Sequence, residues 1–131
     1  MRAKKVLIAE DNRDGAESLQ QLIGAWGHHA EVVFDGAQAV ELAKRIKPDV
    51  VIMDINMPVM DGYTAAKLLR DAHDQILLIA MTGAPAHETR AKAHEAGFHH
   101  HFSKPIELSD LAALLSCDTM DHLLPGFHLR P

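Results

Sequence analysis

The sequence predicts a single α/β domain in which five strands alternate with five helices. The clearest strand signal is the run Val50-Val51-Ile52-Met53, which is short, apolar and rich in β-branched residues, as in strands buried on both faces. Between the strand candidates, apolar residues recur at the three- and four-residue spacing of amphipathic helices. This alternation predicts a doubly wound parallel sheet with helices on both faces. For five strands the flavodoxin-like order 2-1-3-4-5 fits best.

Each element follows from a local pattern along the 131 residues. The strand candidates are residues 6–9, 30–34, 50–53, 76–81 and 98–103. Asn12 or Asp14, then Asp35 and Asp61, can cap the first three helices, and Gly27, Pro48 and Gly97 can end helices.

The helices differ in how well they can be anchored. We expect Leu68 in the third helix and Leu108 in the fifth to lie on packing faces. The fourth helix, residues 87–96, is mostly polar, so we expect it to be exposed and weakly held. We expect a domain over residues 4–116, and residues 117–131 read as a C-terminal tail without an effector domain.

Composition narrows the class of protein. The formal net charge of −5 argues against direct nucleic-acid binding, which needs a basic surface. Cys117 is the only cysteine, so no disulfide can form within one chain, and a cytoplasmic location fits. The longest apolar run, residues 76–81, is too short for membrane insertion.

Reactive side chains follow four of the predicted strands at their carboxyl ends. Glu10 and Asp11 follow the first strand, Asp54 the third, Thr82 the fourth and Lys104 the fifth. In a parallel sheet these ends share one edge, where ligands bind. Two carboxylates about 4 Å apart repel by roughly 4 kcal/mol at an effective dielectric constant near 20, so a proton or a cation is expected among them. Oxygen ligands suit magnesium, and the whole set suits phosphoryl transfer to a carboxylate.

The residues that follow the strands resemble a known family. The acidic pair Glu10-Asp11, the stretch from Asp54 to Gly62 that reads Asp-Ile-Asn-Met-Pro-Val-Met-Asp-Gly, Thr82 and Lys104-Pro105 are similar to the motifs of receiver domains of two-component response regulators. The likeness covers about residues 4–116, and the combination is highly specific although each motif alone is weak. The run from Thr82 to Pro105 is also somewhat similar to receivers of hybrid histidine kinases.

The resemblance implies a role for each residue at this edge. Asp54 would accept a phosphoryl group from the phosphohistidine of a sensor histidine kinase or a histidine phosphotransfer protein. Asp11, Asp54 and the backbone carbonyl of Asn56 would bind magnesium or manganese, with Glu10 acting through a metal-bound water. Thr82 and Lys104 would hold the phosphoryl oxygens.

The resemblance also implies how the signal leaves the site. The Lys104–Pro105 peptide bond would be cis. Thr82 would act as a switch, and the face formed by the fourth helix, fifth strand and fifth helix would meet an unknown downstream protein or serve as a homodimer interface. His101 stands where these receivers often carry a Tyr or Phe switch. This puts an aromatic switch in doubt and suggests a switch that responds to pH.

Several alternatives remain open from the sequence. An Asp-nucleophile phosphatase of the haloacid dehalogenase type requires a second aspartate at the position where this chain has Asn56. A dinucleotide site requires a glycine-rich turn after the first strand, where this chain has Glu10-Asp11-Asn12-Arg13. A receiver that binds partners without phosphorylation keeps the fold but not the chemistry. The run His99-His100-His101 invites a metal site, but strand alternation separates its side chains. His28 and His29 are expected at the surface.

Overall fold

A computed structural model of the chain describes residues 3–57, 59–72, 75–84 and 86–116. Its elements alternate without exception, and their bounds in chain order are β1 (Lys5–Ala9), α1 (Arg13–Ala25), β2 (His29–Val33), α2 (Gly36–Ile46), β3 (Val50–Asp54), α3 (Gly62–Ala72), β4 (Leu77–Thr82), α4 (Ala86–Ala96), β5 (His100–Ser103) and α5 (Leu108–Leu115). The predicted tail, residues 117–131, lies outside the described residues.

The five strands form one parallel sheet in the order β2-β1-β3-β4-β5, which confirms the predicted fold class. β1 and β3 are direct neighbours, with Ala9 opposite Met53, so their carboxyl ends meet at the point where the strand order reverses. Within the described ranges, no helix combines the length and the apolar character that crossing a membrane requires.

The core lies in two layers, one on each face of the sheet. Buried alanines of α2, α3 and α4, with Leu69 of α3, pack on one face, and Ile23 of α1 and Leu111 of α5 anchor those two helices on the other. Strand β3 is buried along its whole length because helices cover both of its faces.

The predicted helix caps form. Asn12, Asp35 and Asp61 each accept a backbone N–H bond three residues along the chain, at 3.1, 2.8 and 2.9 Å. Asp61 is therefore the cap of α3. Gly62 follows it because a Cβ at that position would lie only 2.7 Å from the Ile55 Cα atom, so the start of α3 packs directly on the end of β3.

Several predictions about individual residues and bounds are wrong. β5 begins at His100 rather than at residue 98, because the Phe98 side chain packs in the core beside α4 before the strand starts. His28 is buried, not at the surface, and its Nδ1 atom accepts the Lys4 backbone N–H at 3.0 Å. Leu68 and Leu108, expected on packing faces, are exposed.

Candidate active site

Three carboxylates meet where β1 and β3 end. One oxygen each from Glu10, Asp11 and Asp54 can be chosen so that all three lie within 4.8 Å of one another. Glu10 and Asp54 are buried, whereas Asp11 is exposed. In the part of the chain that the structure describes, this is the one such group of three or more His, Cys, Asp or Glu side chains. The three side chains that the resemblance assigned to a metal site therefore lie together.

Lys104 lies against two of these carboxylates. Its Nζ atom donates to Glu10 Oε1 at 2.6 Å and to Asp54 Oδ2 at 2.8 Å. Lys104 directly follows β5, so its side chain reaches past the end of β4 to the carboxylates. Its backbone N–H donates to the Thr82 carbonyl at 2.7 Å. Burial alone would lower the pKa of Lys104, but the hydrogen bonds that it donates to Asp54 and Glu10, together with the negative charges of both carboxylates, outweigh burial and raise that pKa above its ordinary value.

Glu10 is the carboxylate whose environment opposes ionisation. Burial raises the pKa of Glu10, the hydrogen bond from Lys104 lowers it, and the neighbouring Asp54 raises it again, with a net shift above the ordinary value. The Asn12 backbone N–H donates to Glu10 Oε2 at 3.2 Å. The site thus holds more negative charge than the single ammonium group balances, which is the condition in which a further cation binds well.

The loops after β3 and β4 set the remaining positions. The Asn56 backbone N–H donates to Asp54 Oδ1 at 3.0 Å, so the two Asp54 oxygens have different partners. Thr82 is fully buried, and its Oγ1 atom accepts the Ala84 backbone N–H at 3.1 Å. The Lys104–Pro105 peptide bond is cis.

The donor set fits a hard divalent cation. Carboxylate oxygens are the ligands that magnesium and manganese prefer, and one exposed carboxylate leaves room for metal-bound water. Glu10, Asp11 and Asp54 supply such oxygens from two adjacent strand ends. Asn56 follows Asp54 by two residues, so its carbonyl belongs to the same turn.

The histidine run serves other contacts. His99 precedes β5 and its Nδ1 atom accepts the Leu78 backbone N–H at 3.0 Å. His101 Nε2 lies 2.6 Å from the Thr89 hydroxyl of α4. His101 could be singled out from the sequence but Thr89 could not, because no local pattern indicates which helix side chain reaches a strand.

Arg13 makes a contact that its sequence context does not predict. Its guanidinium group lies over the Phe34 ring, 4.1 Å from the ring centre, which joins the start of α1 to the end of β2. Arg13 stands two residues after the acidic pair, but no local pattern indicates that it reaches Phe34.

Known proteins are similar to this chain in sequence and in structure. The family of the response regulator receiver domain matches residues 6–116. The chain is 29% identical over 109 residues to the response regulator MprA of Mycobacterium leprae and 30% identical over the same length to the transcriptional regulatory protein PrrA of that organism. Each match covers 83% of this chain but 48% and 47% of the relative, so the chain spans about half the length of the curated relatives it matches.

The fold comparison agrees with the sequence comparison. The receiver domain of the sensor histidine kinase PA1611 of Pseudomonas aeruginosa superposes with a TM-score of 0.77 and 29% identity, covering 87% of this chain and 95% of the other, and that structure has a magnesium ion coordinated in its active site cleft. The family match covers most of the chain and includes every residue of the carboxylate cluster and Lys104. The chain belongs to the response regulator receiver domains of two-component systems.

Proposed function

We propose that this chain is the phosphoacceptor module of a two-component phosphorelay and that Asp54 receives the phosphoryl group from a phosphohistidine. The observation that carries the proposal is the position of Lys104, which binds Asp54 and Glu10 at once. A cation held 2.8 Å from the acceptor oxygen can stay with the oxygens of an incoming phosphoryl group without rearrangement of the backbone.

The transfer itself needs little from the protein beyond position and charge. An Asp54 carboxylate oxygen forms the new O–P bond while the N–P bond of the phosphohistidine breaks, and its electron pair stays on the imidazole nitrogen. Burial of Asp54 keeps this carboxylate at the floor of the site, and the Asn56 N–H fixes the rotation of its carboxyl group. The phosphoryl group would then lie beside the Lys104 ammonium group, which would bind its oxygens.

Glu10, Asp11 and Asp54 with the Asn56 carbonyl would hold a magnesium or manganese ion, which supplies positive charge between the carboxylates and the phosphoryl oxygens. The magnesium in the cleft of the similar PA1611 receiver domain supports this assignment. Thr82 would donate its hydroxyl proton to a phosphoryl oxygen, since an oxygen that accepts one hydrogen bond still carries its own proton to donate.

The output is part of the same proposal. Movement of Thr82 toward the phosphoryl group would pull on the segment that leads into α4, and the face of α4, β5 and α5 would then bind a downstream protein or a second copy of the chain. A cytoplasmic location and the absence of direct nucleic-acid binding by this domain complete the proposal. The chain would catalyse its own phosphorylation and dephosphorylation, without turning over other substrates.

The test is phosphorylation by a small acyl phosphate, followed by intact-mass measurement with magnesium and with a chelator. We expect a gain of one phosphoryl group with magnesium and none with the chelator. Asp54→Asn should abolish the gain. Asp61→Asn is the matched control, because it removes the same charge from the same loop and keeps a side chain that can cap α3.

Three other results would overturn the proposal. If Asp54→Asn gains a phosphoryl group to the same extent as the wild type, another residue is the acceptor. If the folded wild type gains no phosphoryl group but still binds its partner, the result favours a receiver that works without phosphorylation. Steady hydrolysis of a phosphomonoester would instead support the phosphatase, which lacks its second aspartate because Asn56 occupies that position.

A further inference from the structure

Helix α4 is held to the domain by unusually few apolar contacts. Among its side chains that the structure describes, only Ala93 and Ala96 are buried. Alanine offers little surface, so burial contributes little to holding this helix. The polar contacts of α4 therefore have more influence on its position than they would on a helix with a leucine-rich face.

Side-chain contacts tie α4 to the elements on both of its sides. The Lys92 ammonium group lies 4.6 Å from the centre of the Tyr63 ring and joins α4 to α3. On the other side, Thr89 Oγ1 and His101 Nε2 lie 2.6 Å apart and join α4 to β5. The second contact is short and part-buried, so it depends closely on the state of the imidazole ring.

The surroundings of His101 accept a neutral ring and oppose a charged one. Its Nδ1 atom is buried and has no hydrogen-bond partner among the described residues. A neutral ring leaves one nitrogen without a proton, but an imidazolium carries N–H groups on both. Protonation in place would therefore bury an N–H group at Nδ1 without an acceptor.

The charges around His101 act in the same direction. In the β4–β5 register His101 stands opposite Ala80, which belongs to the core beneath α2, α3 and α4, so the ring lies on the α4 side of the sheet. β4 brings no charge there. Burial first, and then the positive charge of Arg90 on α4, lower the pKa of His101, and together they outweigh the opposite effect of the residue's own backbone. The other titratable groups of α4 are exposed, and they are His87, Glu88, Lys92, His94 and Glu95.

We propose that the Thr89–His101 hydrogen bond is a proton-released tether, which holds α4 on β5 while the imidazole is neutral and lets the helix go when the imidazole is protonated. The released ring can turn to solvent and takes up a proton as an ordinary histidine does. The tether is at full strength above about pH 6.5, the ordinary value for histidine, and weakens as the pH falls below it. This device acts on the unphosphorylated chain and does not depend on the chemistry of Asp54.

Hydrogen exchange of the α4 backbone amides tests the proposal, in the full chain without a phosphoryl donor, at pH 8.0 and 5.5 after correction for intrinsic exchange rates. In the wild type we expect the opening constant of α4 to rise by up to about tenfold on acidification, relative to the amides of α2. His101→Gln, whose amide can bond Thr89 but cannot be protonated, should remove this rise. Thr89→Val should open α4 at pH 8.0 about as readily as the wild type opens at pH 5.5.

His94→Gln is the matched control, because it removes an exposed histidine from the same helix and should keep the wild-type response. The proposal is overturned if His101→Gln keeps the full pH response or if Thr89→Val leaves α4 as protected as the wild type at pH 8.0. The Thr89 variant decides the matter even where His101→Gln folds poorly.

Discussion

Replacing Lys104 with methionine removes the one cation that the structure places among the site carboxylates while keeping a side chain of similar length. Lys104 Nζ lies 2.6 Å from Glu10 Oε1 and 2.8 Å from Asp54 Oδ2, and both carboxylates are buried. Without the ammonium group, the two carboxylates repel each other with no partner between them. We therefore expect Lys104→Met to destabilise the fold in the absence of divalent metal.

The size of the loss follows from the geometry and from solvent access. A pair of unit charges 4 Å apart is worth about 1 kcal/mol in water and about 4 kcal/mol at an effective dielectric constant of 20. The Lys104 side chain is 34% exposed, so solvent screens part of its attraction and the desolvation of both partners offsets more. We expect a loss of about 2 kcal/mol in the free energy of unfolding at pH 7.

The loss should depend on pH in a defined direction. The pKa of Glu10 is already raised in the wild type, by burial first, and removal of the Lys104 hydrogen bond raises it further. An acid whose pKa is higher in the folded state than in the unfolded state destabilises the fold above that pKa and is relieved by protonation. The deficit of Lys104→Met should therefore shrink as the pH falls from 7 toward 5. The raised pKa of Lys104 itself keeps its contribution in place up to at least its ordinary value of 10.5.

Urea unfolding followed by the fluorescence of the single tryptophan, Trp26, measures the effect at several pH values with a chelator present. Lys44→Met is the control, because Lys44 is an exposed lysine whose Glu41 partner lies 3.7 Å away, and its loss should cost less than about 0.5 kcal/mol. Added magnesium should reduce the Lys104→Met deficit. The reasoning is refuted if Lys104→Met is as stable as Lys44→Met or if its deficit grows on acidification.

Three further changes test the fold by the same unfolding measurement. Gly62→Ala should lower the free energy of unfolding by about 2–3 kcal/mol because its Cβ collides with the end of β3. Gly24→Ala, whose Cβ would have nothing within 4 Å, should instead stabilise α1 by about 0.5–1 kcal/mol. Equal effects of the two changes would contradict the packing at Gly62. Val59→Asn should stabilise by about 1 kcal/mol, because residue 59 has a φ angle of 69° that a β-branched side chain tolerates poorly, and a loss would be the contrary result. His28→Phe should cost about 1–3 kcal/mol through loss of an acceptor for a backbone N–H, and His29→Phe, which is exposed, less than about 0.5 kcal/mol.

The fold and the carboxylate cluster were predictable because both depend on patterns that are local in the chain. Strand β3 is a continuous apolar run because both faces are covered, and Asp54 ends it. Strand order in a parallel sheet then brings the ends of β1 and β3 together, so Glu10 and Asp11 follow Asp54 into one site without any knowledge of side-chain positions.

Side chains whose partners lie far along the chain could not be placed in this way. His28 is polar and precedes an edge strand, so its sequence context indicates a surface residue, yet it accepts a backbone N–H from Lys4, 24 residues away. Leu68 and Leu108 fit the apolar spacing of their helices but fall at the margins of the buried stripe, where a small rotation of the helix decides exposure.

The polar character of α4 can be read from its local sequence, whereas the contacts that hold α4 can be read only from the structure. Its sequence indicates a weakly anchored helix, and the structure shows why such a helix can still have a defined position. Thr89 and Lys92 reach opposite neighbours, and neither contact requires an apolar face. A helix fixed by polar contacts can be released by a change of charge, whereas a helix fixed by leucines can be released only by exposing apolar surface to water. The small buried face of α4 therefore makes it the element of this domain whose position the charge state of its neighbours can control.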